Sequence, residues 1–334
     1  MIDAAVIGLG RWGKRVSESI GQSDRIRIVR GMDPDPDARR EYAGLHAVPV
    51  ADNYDEILAA DDIDAVLLIT PPSTHLDLAM RALEAGKQVF CEKPLALTRA
   101  DAVTMVEAFA AKGMVLGIDH ERRFEPGWEE LQELVKSGGL GKILHVEANH
   151  SHAWMGDLPD GHWRGLKTEG PSSPYTGMGI HFMDLFTSLF GPLDQVFSYA
   201  VDRTLGFASG DVSTAQFRFP DGTTGTIAAI AATPVFIRVA VFGEDGWMEV
   251  REAIDEAGIR RSEVTLSMRD QELEHRGYDP TDTVRLSLEA WVDAVEKGVP
   301  YRYEAEEMIN NVAAVEAITL SQETGQPARI ADLD

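Results

Sequence analysis

An apolar run, Ile2 to Ile7, breaks directly into Gly8-Leu9-Gly10-Arg11-Trp12-Gly13, and the next apolar run, closing on Val29-Arg30-Gly31-Met32, ends in a lone acid, Asp33. Gly8 permits a tight strand-to-helix turn. Gly10 lets the backbone approach a pyrophosphate, and Gly13 lets the helix pack closely on the strand, so that phosphates rest on the helix N-terminus. A GxGxxG string alone is a weak signal. Here a strand precedes it, a helix follows it, and the carboxylate stands 33 − 8 = 25 residues after the first glycine, near the spacing that such sites require. The pattern predicts a dinucleotide site built from Gly8, Gly10, Arg11, Trp12, Gly13 and Asp33. A carboxylate at that place accepts hydrogen bonds from a ribose 2′-hydroxyl and repels a 2′-phosphate, so the expected cofactor is NAD rather than NADP. Asp35 and Asp37 add negative charge nearby, and Arg39 and Arg40 are expected to face solvent from a helix.

From residue 1 to about 120, short apolar strands alternate with helical stretches: Ala4 to Ile7, Ile26 to Met32, Ala65 to Ile69, Gln88 to Cys91 and Met114 to Ile118. Between them, Thr74 to Ala85 and Arg99 to Ala111 carry apolar residues at helical spacing. This alternation is that of a doubly wound parallel sheet, a Rossmann domain over residues 1–120. After Asp119 the pattern changes to long strand-like segments, at Ile143 to His150, Gln195 to Val201, Thr214 to Phe219, Thr224 to Ile230, Ile237 to Val241, Trp247 to Arg251 and Glu263 to Met268. Pro220-Asp221-Gly222 and Glu244-Asp245-Gly246 are hairpin signals between neighbours in that series. Residues 121–334 are therefore expected to form an α+β domain with a large, mostly antiparallel open sheet. Two amphipathic helices, Val284 to Glu296 and Ala305 to Gln322, are expected to cover one face of it or to pack back on the first domain. A sheet face left uncovered exposes apolar strand residues unless another subunit covers it, so a homodimer or homotetramer through the C-terminal sheet is expected.

Composition excludes several classes of partner. A formal net charge of −24 over 334 residues argues against nucleic acid and anionic membrane, both of which require a basic surface. A single cysteine, Cys91, excludes an internal disulfide framework, fits a reducing compartment and is expected to be inert packing. With no leader-like segment and no apolar stretch of membrane length, a cytoplasmic protein is expected.

Cys91-Glu92-Lys93-Pro94 closes one strand, and Gly177-Met178-Gly179-Ile180-His181-Phe182-Met183-Asp184 lies well into the second half. With the glycine motif, Thr70-Pro71-Pro72-Ser73-Thr74-His75, Trp163-Arg164 and the stretch Glu316-Ala317-Ile318, the chain resembles the glucose:fructose oxidoreductase, inositol dehydrogenase and MocA family over nearly its whole length. The resemblance implies an NAD(P)-dependent oxidoreductase of sugars, cyclic polyols and their derivatives, with a C-terminal domain for substrate binding and oligomerisation. It implies Lys93 as a catalytic residue and Glu92 and Pro94 as parts of the cofactor site. Thr70, Pro71, Pro72, His75 and His120 are expected there too.

Read from the residues alone, Lys93 sits where an open α/β sheet binds ligand and is followed by a proline that fixes its backbone. Such a lysine can share a substrate hydroxyl proton while hydride leaves the adjacent carbon. A solvated surface charge is the plain alternative. The unperturbed pKa of histidine lies near working pH, which makes His181 the second proton-transfer candidate, the alternative being a buried histidine that holds its helix. Asp184 is expected to orient that ring or to satisfy a neighbouring backbone group. The family motif carries an aspartate four residues before the histidine, where this chain has Gly177. Either Lys93 and His181 suffice, or Tyr175 or Asp157 fills the space, or the protein binds cofactor without turnover. His152, Trp154, Trp163, Arg164 and Tyr175 are expected to line the substrate site together with Lys93 and His181, and no metal is expected, although His150 and His152 share a strand face. The leading reading is hydride transfer between NAD and a secondary alcohol or ketone of a sugar, inositol or related polyol. A catalytically silent dinucleotide- and sugar-binding regulator, and a reductase of an unsaturated or imine substrate, are the alternatives.

Overall fold

In the computed structural model, residues 1–158, 161–172, 174–254 and 260–333 are described. The chain begins β1 (Ile2–Ile7), α1 (Arg11–Ile20), β2 (Ile26–Met32), α2 (Pro36–His46), β3 (Val50–Ala51), α3 (Tyr54–Leu58) and β4 (Ala65–Leu68). It continues α4 (His75–Glu84), β5 (Gln88–Cys91), α5 (Arg99–Ala111), β6 (Leu116–Ile118), α6 (Pro126–Lys136), β7 (Ile143–Ser151) and α7 (Ile180–Phe190). Then come β8 (Gln195–Val201), β9 (Val212–Arg218), β10 (Thr224–Ile230), β11 (Phe236–Gly243), β12 (Gly246–Ile254), β13 (Arg260–Met268) and β14 (Glu274–Tyr278). Helices α8 (Thr283–Lys297) and α9 (Ala305–Thr324) and a short β15 (Ala328–Arg329) end it. Two compact units result, Met1–Glu121 with Asp282–Met308, and Arg122–Thr281 with Ile309–Asp334.

The first unit carries a six-stranded sheet in the order β3-β2-β1-β4-β5-β6, and every pairing in it is parallel. That is the doubly wound order whose crossover between β1 and β4 opens a crevice at the carboxyl ends of the strands. Strands covered by helices on both faces read as unbroken apolar runs, and β4 is buried at every residue. Register does the positioning. Ile7 of β1 lies opposite Met32 of β2 and Leu68 of β4, and Cys91 of β5 lies between Leu68 and Ile118. The residues that follow these strand ends, Gly8, Asp33, Ile69, Glu92 and Asp119, therefore form one row along the crevice edge. Local chemistry starts the helices: Asp35 accepts from the Asp37 N–H ahead of α2, and Thr98 accepts from the Asp101 N–H ahead of α5, as N-caps do. The return segment belongs to this unit. Asp282 caps α8, and Trp291 of α8 is fully buried against Phe90 of β5, its indole N–H donating to the Val115 carbonyl.

The second unit carries a nine-stranded sheet in the order β14-β13-β12-β11-β7-β10-β9-β8-β15. Among the described residues, only its β7–β10 pair is parallel. Both hairpins signalled in the sequence form, β9–β10 and β11–β12. Helices α6 and α7 cover one sheet face, with Trp128 stacked on Phe182 at 5.0 Å over Val146, Phe217, Ile227 and Val239. Along β9 burial alternates strictly, Ser213, Ala215 and Phe217 inward and Thr214, Gln216 and Arg218 outward, the pattern of an antiparallel strand with one face packed. Strands β3 and β15, of two residues each, are too short to announce themselves in sequence, and β14 is exposed or half-buried throughout and so carries no apolar pattern.

Candidate active site

The glycine loop forms as its spacing requires. Gly8 takes φ +99°, and a Cβ there would lie 2.3 Å from the Ile69 carbonyl oxygen, so only glycine meets both the left-handed backbone and the close approach. A Cβ on Gly13 would lie 2.1 Å from the Gly8 carbonyl oxygen. Helix α1 starts at Gly10 with no side-chain cap and no acidic residue in its first turn, which leaves its leading N–H groups and positive dipole end for an anion. Asp33 is fixed rather than loose: Oδ2 accepts from the Leu9 N–H at 2.8 Å and Oδ1 from the Asp35 N–H at 2.9 Å. Each oxygen keeps a second lone pair, the pair of acceptors that a ribose diol needs. Arg39 departs from the expectation that it faces solvent. Its guanidinium turns back and donates to the carbonyls of Asp33, at 2.7 Å, and Pro34, at 2.9 Å. Arg40 does face solvent, paired with Asp37.

Two loops close the next part of the row. Thr70, Pro71 and Pro72 follow β4, and Glu92, Lys93 and Pro94 follow β5, with a cis bond between Lys93 and Pro94. His75, expected as a cofactor contact, instead ties these loops together from beneath. It is wholly buried, and its two ring nitrogens lie 2.9 Å from the Pro94 carbonyl and 3.0 Å from the Thr70 carbonyl. Burial first of all pushes its pKa down. Glu92 is held by the Trp12 indole N–H on Oε1 and by the Lys93 N–H on Oε2. Lys93 is half-buried at the strand end. His120 is buried, and its carbonyl accepts from the Tyr303 hydroxyl at 2.8 Å. Cys91 is fully buried, and burial, then the Glu92 charge, push its thiol well above the ordinary range. Such a thiol is unreactive packing.

In the second unit, β7 and α7 build a wall of rings. His150 and His152 alternate along β7 and its extension, so their rings fall on one side, with centroids 5.4 Å apart. The His150 ring lies 6.0 Å from that of His181, the second residue of α7, and its Nδ1 donates to the Met178 carbonyl at 3.0 Å. Trp154 Nε1 donates to His152 Nε2 at 2.7 Å, which places the His152 proton on Nδ1. Arg164 continues the wall, with its guanidinium 4.1 Å from the Trp163 ring centroid and 5.5 Å from that of Trp154. Such stacking orients the flat donor fork. Ahead of α7, residues Tyr175–Gly179 form a wide π turn, a local widening common beside functional sites. Gly177 lies in it, and nothing stands within 4 Å of where its Cβ would be.

Three expectations are corrected here. Tyr175 does not line the site: it is fully buried in the core, and burial raises its phenol pKa well above the ordinary value. Asp157 is exposed and Tyr175 enclosed, so neither fills the opening at Gly177. Asp184 forms a buried two-bond fork with Arg123, with Nε to Oδ2 and Nη2 to Oδ1 both at 2.6 Å. It thus ties α7 to the segment ahead of α6. No local pattern announces that pair, whose partners stand 61 residues apart. Asp119 also escaped notice as a site residue, although its place is readable: an acid directly after an apolar strand, in register with Glu92.

The fold and the first of these sites define an NAD-binding oxidoreductase. Residues 2–120 match the model of an oxidoreductase family with an NAD-binding Rossmann fold, and residues 128–249 match the GFO/IDH/MocA C-terminal domain. The chain belongs to the GFO/IDH/MocA family of oxidoreductases. It is 27% identical to inositol 2-dehydrogenase 1 of Saccharopolyspora erythraea, over 98% of this chain and 96% of that one. It is 29% identical to the myo-inositol 2-dehydrogenase of Thermotoga maritima, over 97% and 92%. Levoglucosan dehydrogenase, solved with NADH and levoglucosan, superposes with a TM-score of 0.85 at 18% identity, covering 98% of this chain and 99% of that one. Among the described residues no helix is long and apolar enough to cross a membrane.

Proposed function

We propose that this oxidoreductase transfers hydride between NAD, preferred over NADP, and a secondary alcohol or ketone of a sugar, inositol or related cyclic polyol. The observation that carries the cofactor preference is the Asp33 carboxylate, locked by the Leu9 and Asp35 N–H groups with lone pairs left for a 2′-hydroxyl. A 2′-phosphate there would meet that charge with Asp35 beside it. The substrate class rests on the inositol dehydrogenases among the relatives and on the ring wall, whose indole faces and imidazole and guanidinium donors suit a polyhydroxylated ring. Bound NAD supplies the hydride acceptor. Lys93 takes the substrate hydroxyl proton, and His181 is the second proton-transfer group. His152, Trp154, Trp163 and Arg164 hold the sugar, and Gly177 leaves room for a substituent on it. The expected split at residue 120 gains a return segment: Met1–Glu121 with Asp282–Met308 serve as the cofactor unit, and Arg122–Thr281 with Ile309–Asp334 as the substrate and oligomerisation unit.

Lys93→Ala tests the chemistry. It should keep NAD binding and lower kcat/KM for the best substrate of a polyol and sugar screen by about 10²–10⁴-fold, the range of a lost general base. Activity that survives this change would replace an alcohol substrate with an unsaturated or imine one. The apolar Tyr199 and Val201, exposed on β8, support a homodimer or homotetramer through the C-terminal sheet. Light scattering at micromolar concentration should give a multiple of the 36.6 kDa chain, and a monomer would refute the assembly.

A further inference from the structure

The row of strand ends sets two acids side by side. Asp119 follows β6 as Glu92 follows β5, and the pairing of Cys91 with Ile118 continues into a bond from the Asp119 N–H to the Cys91 carbonyl at 2.9 Å. Neighbouring parallel strands in register turn equivalent side chains to one face, where two like charges are destabilising. Asp119 is wholly buried and Glu92 nearly so. The side-chain hydrogen-bonding neighbours of the Asp119 carboxyl are the Glu92 carboxyl and the Ser287 hydroxyl of α8, also buried, and no N–H among the described residues donates to it. Glu92 differs in that its oxygens already accept from two N–H donors, the Trp12 indole of α1 and the Lys93 backbone. The groups that face Asp119 are the Glu92 carboxylate from β5, Glu121 from its own side and the Ser287 hydroxyl from α8. None of these is a cation. An ionised Asp119 would be a buried charge beside two carboxylates, with the Ser287 hydroxyl as the one donor to offset them. A protonated one is a donor beside an acceptor.

We propose that Asp119 is a positioning residue of the nucleotide site, one that stays protonated in the folded protein and donates its proton to Glu92, so that the Glu92 carboxylate holds the Trp12 indole and the Lys93 backbone in place. Burial, and after it the Glu92 and Glu121 charges, push the Asp119 carboxyl well above the ordinary range. The placement of Asp119 against Glu92 is a property of the fold alone; its bearing on catalysis rests on the reading of Lys93 given above.

The cofactor-free protein tests it. A carboxyl held above its unfolded pKa binds more proton in the folded state, so stability falls as pH rises from the unfolded value toward the folded one. Asparagine keeps the shape and the donor but cannot ionise. Relative to wild type, Asp119→Asn should gain about 2–3 °C in Tm per pH unit between about pH 5 and pH 8. Infrared difference spectra at neutral pH should show a protonated carboxylic acid in wild type that Asp119→Asn lacks. NAD affinity should stay within about threefold of wild type in Asp119→Asn and weaken about tenfold in Asp119→Ala, where the donor is gone. Parallel Tm curves for wild type and Asp119→Asn, or an infrared spectrum without that acid, would overturn the proposal. Should Asp119→Asn fail to fold, Asp119→Ala provides the same comparison of Tm against pH and of infrared spectra, since it too removes the titrating carboxyl. Failure of wild type to bind NAD would strike the functional reading and leave the pH-dependent difference intact.

Discussion

Gly13 in the nucleotide loop and Gly177 in the π turn before α7 are both glycines beside a candidate ligand, yet they are there for opposite reasons. A Cβ on Gly13 would run into the Gly8 carbonyl oxygen at 2.1 Å, whereas one on Gly177 would meet nothing within 4 Å. The first glycine is demanded by backbone packed on backbone, in a loop that has to present N–H groups to a pyrophosphate. The second is demanded by nothing in the fold, and what it provides is space. On the reading proposed above, the pyrophosphate is met by main chain, which tolerates little change, and the Asp33 side chain adds the choice between NAD and NADP. Substrate recognition, on the same reading, falls instead to rings and an opening on the second unit, which backbone packing does not dictate.

The comparison can be broken in a definite order. Gly13→Ala should weaken NAD binding by about 10–100-fold, the effect of a few kcal/mol of overpacking passed to the phosphate loop; unchanged affinity by calorimetry would show that the loop yields. Gly177→Asp should lower kcat/KM for the true substrate several-fold through KM, because the side chain occupies the opening; a clear gain in turnover would show that the missing carboxylate, and not space, is what this site lacks. Gly177→Ala should be the mildest, neutral or stabilising by about 0.5–1 kcal/mol through lower backbone entropy of the unfolded chain, and a large loss of Tm would reveal a contact that the opening conceals.

These differences also explain what was legible in the sequence. The glycine loop and Asp33 were readable because the bonds that join them, Gly8 N–H to the Met32 carbonyl and Leu9 N–H to Asp33, lie within one strand-turn-helix-strand unit. Strands and hairpins of the second sheet were readable from period-two alternation, as β9 shows. What stayed hidden depends on contacts between remote segments. The return of α8 rests on Trp291 meeting Phe90, and the tie from α7 rests on Asp184 meeting Arg123. His75 and Tyr175 depart from expectation for a related reason. A polar ring near a motif looks like a ligand contact until burial places it beneath the surface, where His75 clamps two loops and Tyr175 fills the core. Arg39 turns back on the carbonyls of Asp33 and Pro34, a choice that helical periodicity does not record.

The central claim is that Asp33, held by the glycine loop, makes this an NAD site. Thermal unfolding of wild type and Asp33→Ala with NAD, NADH and NADP side by side tests it most directly. A ligand that binds only the native state stabilises by about 2.7 kcal/mol at a hundredfold excess over Kd, a rise of roughly 5–10 °C in Tm for a domain of this size. The account predicts that rise for wild type with NAD and NADH, little with NADP, and a reduced or reversed preference in Asp33→Ala. A shift with NADP alone, or with none of the three, would contradict it.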